Sequence, residues 1–214
     1  MNFPILRRGA FLVSAVLALV LLGVPVAYAQ EEAADVMIKR LSVEVLDAIK
    51  NDKSIKSGDV AKVVALVDER IMPNVDFQRM TASAVGPGWR QASAEQQQRL
   101  QEEFKILLVR TYAGALAQVS NQTIAMKPLR ASPEDKEVVV RTEVKGGGDP
   151  IQLDYRLEKT PGQGAGWKIY NLNVLGVWLV ETYKSQFSQE INAKGIDGLI
   201  STLSERNKVN SKKG

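Results

Sequence analysis

The 214-residue sequence predicts an α+β fold, with helices packed on a strongly twisted antiparallel sheet of about four strands. Three observations carry this expectation. Apolar residues recur at three- and four-residue steps from Ala33 to Val119, the period drops to two between Val138 and Leu157, and helical spacing returns after Gly176.

Residues 33–51 place Val36, Met37, Leu41, Val45, Leu46 and Ile49 on one side of an amphipathic helix. Asp59 opens a second, which carries Val60, Val63, Val64, Val67 and Ile71 toward Pro73. Asp76 begins a short helix with Phe77, Met80 and Val85, and Gly86-Pro87-Gly88 breaks it before Trp89. Ser93 and Gln96 have capping-box spacing, so a longer helix starts there. Its stripe of Leu100, Phe104, Leu107, Leu108, Tyr112, Leu116 and Val119 marks one face for burial.

The second half changes period. Residues 121–130 read as a weak strand cut by Pro128. Val138, Val140, Thr142 and Val144 alternate with polar neighbours, and so do Ile151, Leu153, Tyr155 and Leu157 beyond the Gly146-Gly147-Gly148 turn. This is a hairpin with one apolar and one wet face. Residues 167–175 form the next strand after the Pro161-Gly162 turn, completing a meander. From Val177 the spacing of Val180, Tyr183, Phe187 and Ile191 is helical, and a final helix spans 196–207. The polar tail, 208–214, is expected to be mobile.

The ends and the composition limit the function. Arg7-Arg8, the apolar run 10–22 and Ala27-Tyr28-Ala29 have the order of a cleavable signal peptide, so the mature chain is expected to begin at Gln30. The run is shorter than the about 20 residues a membrane span needs. With no cysteine to acylate, a soluble periplasmic product is expected. Residues 30–207 form the one domain. The whole chain has 28 basic and 24 acidic residues; without Arg7 and Arg8 the balance is 26 against 24, or +2. That is not the electrostatic footprint of a nucleic-acid binder. The absence of His and Cys removes Ser-His-Asp and Cys-His nucleophile systems and the usual zinc sites. Asp154 and Tyr155 are adjacent on a strand and point to opposite faces, so they cannot share one catalytic site. No catalytic residue, metal or cofactor is expected.

The stretch from Pro73 to Tyr112, with Asp76-Phe77, Met80-Thr81, Gly86, Trp89-Arg90, Glu95-Gln96, Phe104, Leu107-Leu108 and Thr111-Tyr112, resembles the Mla-type periplasmic phospholipid-binding family, also called the toluene-tolerance family. A second block matches it in the expected order: Trp167-Lys168-Ile169-Tyr170, Gly176-Val177, Leu179-Val180, Tyr183, Gln186-Phe187, Gly195, Leu199-Ile200, Leu203 and Asn207. The chain departs from the pattern at Leu100, Trp178 and Lys184, where an aromatic, a serine and an arginine are expected. Trp178 is expected beside a pocket entrance.

The resemblance implies a sheet of the nuclear-transport-factor-2 type enclosing an apolar lipid pocket, and a monomeric carrier with phospholipid as cargo. Members pass phospholipid between an outer-membrane lipoprotein–porin complex and an inner-membrane ABC transporter bearing a ring of substrate-binding domains, maintaining outer-membrane lipid asymmetry. On that basis Val138, Val140, Val144, Ile151, Leu153, Tyr155 and Leu157 are expected to form the sheet wall of the pocket. Leu108, Tyr112 and Leu116, with Val177, Val180 and Phe187, are expected to form its lid side. Arg90, Arg141, Lys145, Arg156, Lys168 and Lys184 are the cations that could meet a head group. For any one apolar position the alternative is ordinary core packing. For the chain as a whole the alternatives are a periplasmic adaptor holding a partner peptide in its groove, and a small enzyme on the same kind of sheet.

Overall fold

The computed structural model of the chain describes residues 31–132, 134–146 and 148–211. The expected signal peptide and residues 212–214 lie outside them. The first half is helical: α1 (Ala34–Asn51), α2 (Lys53–Lys56), α3 (Val60–Leu66), α4 (Phe77–Val85) and α5 (Ala94–Ala117). Asp52, Asp59 and Asp76 each accept backbone N–H groups at the start of the helix that follows, and Ser93 and Gln96 form the expected capping box. The short α2 was not expected, because four residues are too few to display a period. Between α3 and α4 the chain passes through a π-helical turn (Val67–Ile71) and a 3-10 turn (Met72–Asn74). Val75 then bridges to Ile169, and the Asp76 N–H donates to the Ile169 carbonyl at 2.9 Å. The sheet thereby fixes the start of α4.

The strands β1 (Thr123–Met126), β2 (Glu137–Lys145), β3 (Ile151–Lys159), β4 (Trp167–Val174) and β5 (Val177–Trp178) form an antiparallel meander in sequence order. The sheet has five strands where about four were expected. Val177 begins the extra one rather than a helix. Leu175 and Gly176 both adopt positive φ, 51° and 87°, the backbone of a two-residue hairpin turn. Two residues are too short to show alternation, so helical spacing from Val180 onward masked the strand.

The last element, α6 (Leu179–Ser211), is interrupted at Gly195, where φ 72° and ψ −174° break the helical backbone. The expected final helix is its second arm. That arm continues past Asn207, so residues 208–211 of the expected tail are helical.

Three apolar clusters hold these layers together. The largest joins α4, α5 and both arms of α6 through Phe77, Met80, Leu100, Phe104, Phe187 and Leu199. Phe104 lies at its centre, with ring centroids 4.9 Å from Tyr183 and 5.2 Å from Phe187, both edge-on, the favoured aromatic geometry. The second packs α1 (Met37, Ile38, Leu41) on Val138, Val140, Leu157 and Ile169 of the sheet. The third joins α1, α2, α3 and α5 through Ile49, Ile55, Val63 and Val109. Among the described residues no helix is long and apolar enough to cross a membrane.

Candidate functional site

Strand pairing sorts the sheet into two chemically distinct faces. Val138 pairs with Leu157, Val140 with Tyr155, Thr142 with Leu153 and Val144 with Ile151, so all eight side chains share an inner face. Leu153 pairs onward with Val174, and Tyr155 with Leu172. A bulge lies at Arg156/Leu157, where Arg156 pairs with Asn171 but Leu157 with Ile169. The extra residue, Tyr170, turns outward beside Asn171. Its hydroxyl donates to Glu137 at 3.0 Å, and the Asn171 amide donates to Glu181 at 2.8 Å. Because of the bulge, Ile169 and Leu172 both face inward although their sequence parity differs.

Along the inner face, burial falls from the α1 end toward the other, except at Thr142, which is 0% exposed and donates its hydroxyl to the Leu153 carbonyl at 2.9 Å. Val138, Val140 and Leu157 are 7%, 0% and 0% exposed beneath α1. Tyr155 is half-buried at the edge of that cluster, and Leu153 and Val144 are half-buried further along. Ile151 is 41% exposed and Val177, at the end of the same face, 51%. A side chain bordering a space large enough for a water molecule keeps accessible area. Val140 and Leu157, with none, touch protein on every side. α1, rather than the long helix, covers this end of the sheet.

The expected lid residues divide in the same way. Phe187 and Val180 are buried inside the helical cluster, and Phe187 is part of its aromatic centre. Leu108 and Tyr112 are half-buried at the margin of that cluster, and Leu116 at the margin of the third. α5 makes its main contacts with α2, α3, α4 and α6, whereas the sheet makes its own with α1, α4, α6 and the 3-10 turn before α4. The long helix and the open half of the inner face are thus two apolar surfaces, each fastened to other elements.

The phenols in this region stay neutral. Burial pushes the Tyr155 hydroxyl above its ordinary value against the opposing hydrogen bonds of Ser42 and Thr142. It pushes Tyr112 up as well, helped by the neighbouring Tyr183. Asp154 pairs with Arg141 and Asn173 in the outer-face row, where its carboxylate accepts from the Gln152 amide at 2.7 Å. It lies across the sheet from Tyr155. Among the described residues no group of acidic side chains is placed to hold a metal ion.

The outer face carries the charge. Arg156 pairs with Glu181 and lies 4.0 Å over the Trp178 ring. Arg79, from α4, pairs with Glu137 at 2.6 Å and with Glu158, and lies 3.6 Å over Tyr170. Trp178 pairs with Asn173 on this face. The expectation that its ring flanks the inner pocket entrance is corrected: alternation sends Val177 inward and Trp178 outward. Of the candidate head-group cations, Arg141, Lys145, Arg156 and Lys168 also alternate outward. Lys145 lies 3.6 Å from Glu143, and the Lys168 ammonium donates to the Pro73 carbonyl. No local signal in the sequence marks this outer lattice, since its pairs join α4, β2, β3, β4 and α6.

The molecule is similar to known proteins along most of its length. The solved phospholipid-binding protein from Ralstonia solanacearum, in complex with a phospholipid, is 49% identical, superposes with a TM-score of 0.80, and covers 83% of this chain and 98% of its own. The toluene tolerance protein ttg2D of Pseudomonas putida is 30% identical over 197 residues, 90% of this chain and 86% of that protein. The intermembrane phospholipid transport system binding protein MlaC of Haemophilus influenzae is 24% identical over 177 residues, 82% of each. The family profile described as MlaC protein matches residues 39–205, and the chain belongs to the MlaC family.

Proposed function

We propose that this chain is a soluble periplasmic carrier of phospholipid, with the acyl tails held between α5 and the open half of the inner sheet face. The observation that carries the reading is the burial gradient along that face, from the sealed Val140 to the half-exposed Ile151 and Val177. An apolar surface that widens toward water suits a tail entering lengthwise, with the head group left hydrated at the rim. The wall is Val144, Leu153, Tyr155 and Ile151, and the opposite side is Leu108, Tyr112 and Leu116. Val138, Val140 and Leu157, further along the same face, and Val180 and Phe187, inside the helical cluster, are packed core.

The energetic need is large. Each methylene left in water costs about 0.8 kcal/mol, so the two chains of a phospholipid meet a barrier of roughly 20 kcal/mol on leaving a bilayer alone. A dry slot removes most of it. The similarity of the Ralstonia relative, solved with a phospholipid, supports the cargo. The partners are an outer-membrane lipoprotein–porin complex and an inner-membrane ABC transporter, between which the carrier sustains lipid asymmetry. The cargo is the only small molecule required, and no cofactor enters.

Native mass spectrometry of the protein purified without detergent, followed by solvent extraction and lipid identification, tests the reading. Near-stoichiometric phospholipid is expected. Protein that is empty, and stays empty after incubation with phospholipid vesicles, would overturn it.

A further inference from the structure

Outside the inner face, α4, the Gly86–Arg90 turn and the first turns of α6 enclose a surface cleft of about 440 Å³. Its charged and aromatic lining is Arg79, Trp89, Arg90, Glu181 and Lys184. Two of these charges are already satisfied. Arg79 is held by Glu137 and Glu158, and Glu181 by Arg156 and the Asn171 amide. Arg90 and Lys184 are both exposed, and among the described residues neither forms an ion pair. Lys184 lies across Gly86, where even a Cβ would come within 3.7 Å of its Cε, and Gly86 holds a positive φ of 67°. Glycine there favours the turn, and a Cβ would be in ordinary contact with the lysine. The cleft therefore carries two uncompensated positive charges beside a half-buried indole.

We infer that this cleft is a docking site for an acidic segment of a partner protein, its carboxylates meeting Arg90 and Lys184 and an apolar side chain resting on Trp89. The inference rests on the carrier reading, since a shuttle must dock at both ends of its path. Charge complementarity selects the occupant, and the concave shape selects a protruding segment over a flat bilayer surface. The internal pairs fix the shape: with Arg79 and Glu181 tied to the sheet, an incoming carboxylate competes with no internal partner for Arg90 and Lys184. Attraction by two exposed cations gives fast, salt-sensitive association and rapid release, as repeated transfer demands.

The test is fluorescence titration, through tryptophan emission and the anisotropy of a labelled peptide, with the peptide Glu-Glu-Leu-Glu-Glu-Leu at low and at physiological salt. The purified protein is compared with Arg90→Gln/Lys184→Gln, with Arg90→Glu/Lys184→Glu and with the remote control Lys136→Glu. Saturable binding weakened by salt is expected, falling roughly tenfold in the glutamine pair and beyond detection in the glutamate pair, with Lys136→Glu unchanged. Equal affinity in all four proteins would overturn the inference. So would the absence of peptide binding together with Arg90- and Lys184-dependent sedimentation on vesicles of phosphatidylglycerol and phosphatidylethanolamine, which would identify a lipid surface instead. Co-purified lipid, measured on the same samples, reports folding and separates the two readings. Lipid without peptide binding sinks the docking site alone; peptide binding without lipid sinks the carrier.

Discussion

The two ends of the inner sheet face are made of the same residue types yet are covered differently. Val138, Val140 and Leu157 at one end, and Val144, Ile151 and Leu153 at the other, are aliphatic, alternate with polar neighbours and lie on one continuous hairpin. The first three are sealed by Met37, Ile38 and Leu41 of α1, and the last three keep contact with water. What separates a sealed core from an open apolar wall is the element laid over it. Strand alternation fixes only which way a side chain points.

The sharpest way to break this comparison is to place the same charge at each end. Val140→Arg is expected to abolish folding, because an unpaired guanidinium in a closed core costs several kcal/mol. Leu153→Arg, on the same face but with its side chain able to reach solvent, is expected to fold and to lose its lipid. Circular dichroism and native mass spectrometry of the two variants check this, and equal behaviour would erase the distinction between the ends. Truncation is a milder version. Leu157→Ala should cost about 2–5 kcal/mol in urea unfolding, as large-to-small core changes do, and Val144→Ala less than about 1 kcal/mol.

A third prediction contrasts the inner face with the charged outer one. The Arg79 hydrogen bond holds the Glu137 carboxyl below its usual range. Burial raises Glu158, and Arg79 offsets part of that rise. A depressed carboxylate contributes stability that is complete above its unfolded pKa and disappears as pH falls through the folded value. Arg79→Gln should therefore lower stability at pH 7, and the deficit should shrink below about pH 4, where glutamates protonate. Urea unfolding at pH 7 and pH 3 measures it; a deficit independent of pH would show that Arg79 acts through its stacking on Tyr170 alone.

The smallest expected effect is at the turn between β4 and β5. Leu175 is 64% exposed at φ 51°, a conformation that disfavours leucine and suits asparagine. Leu175→Asn should raise stability by up to about 1 kcal/mol while removing an apolar group from the rim, so faster lipid loss to vesicles should accompany higher thermal stability.

Much of this architecture is legible in the sequence wherever a signal is local. The capping box at Ser93, the caps at Asp59 and Asp76, the β2–β3 hairpin and the glycine break after Val85 need only a few neighbouring residues, and each lies where its spacing puts it. The sealing of Val140 is not legible, because α1 begins more than a hundred positions away and its own apolar stripe does not say what it will meet. The outward aim of Trp178 is hidden by a strand of two residues. The placing of Arg90 and Lys184 in one cleft depends on α6 returning past the Gly86–Arg90 turn, where a Cβ on Gly88 would lie 3.1 Å from Ile191.

The bulge at Tyr170 gives β4 two reading frames. Trp167 and Ile169 point inward in one phase, Leu172 and Val174 in the other, and the extra residue is the splice between them. Point substitutions anywhere along the strand leave both frames intact. Loss of Tyr170 alone would merge them into one regular alternation with every aliphatic group still inward, whereas loss of a residue elsewhere in the strand, with the bulge kept, would turn an apolar side chain such as Trp167 or Val174 outward. Relatives that keep this inner surface should therefore vary in composition along β4 far more freely than in length, except at the bulge residue itself.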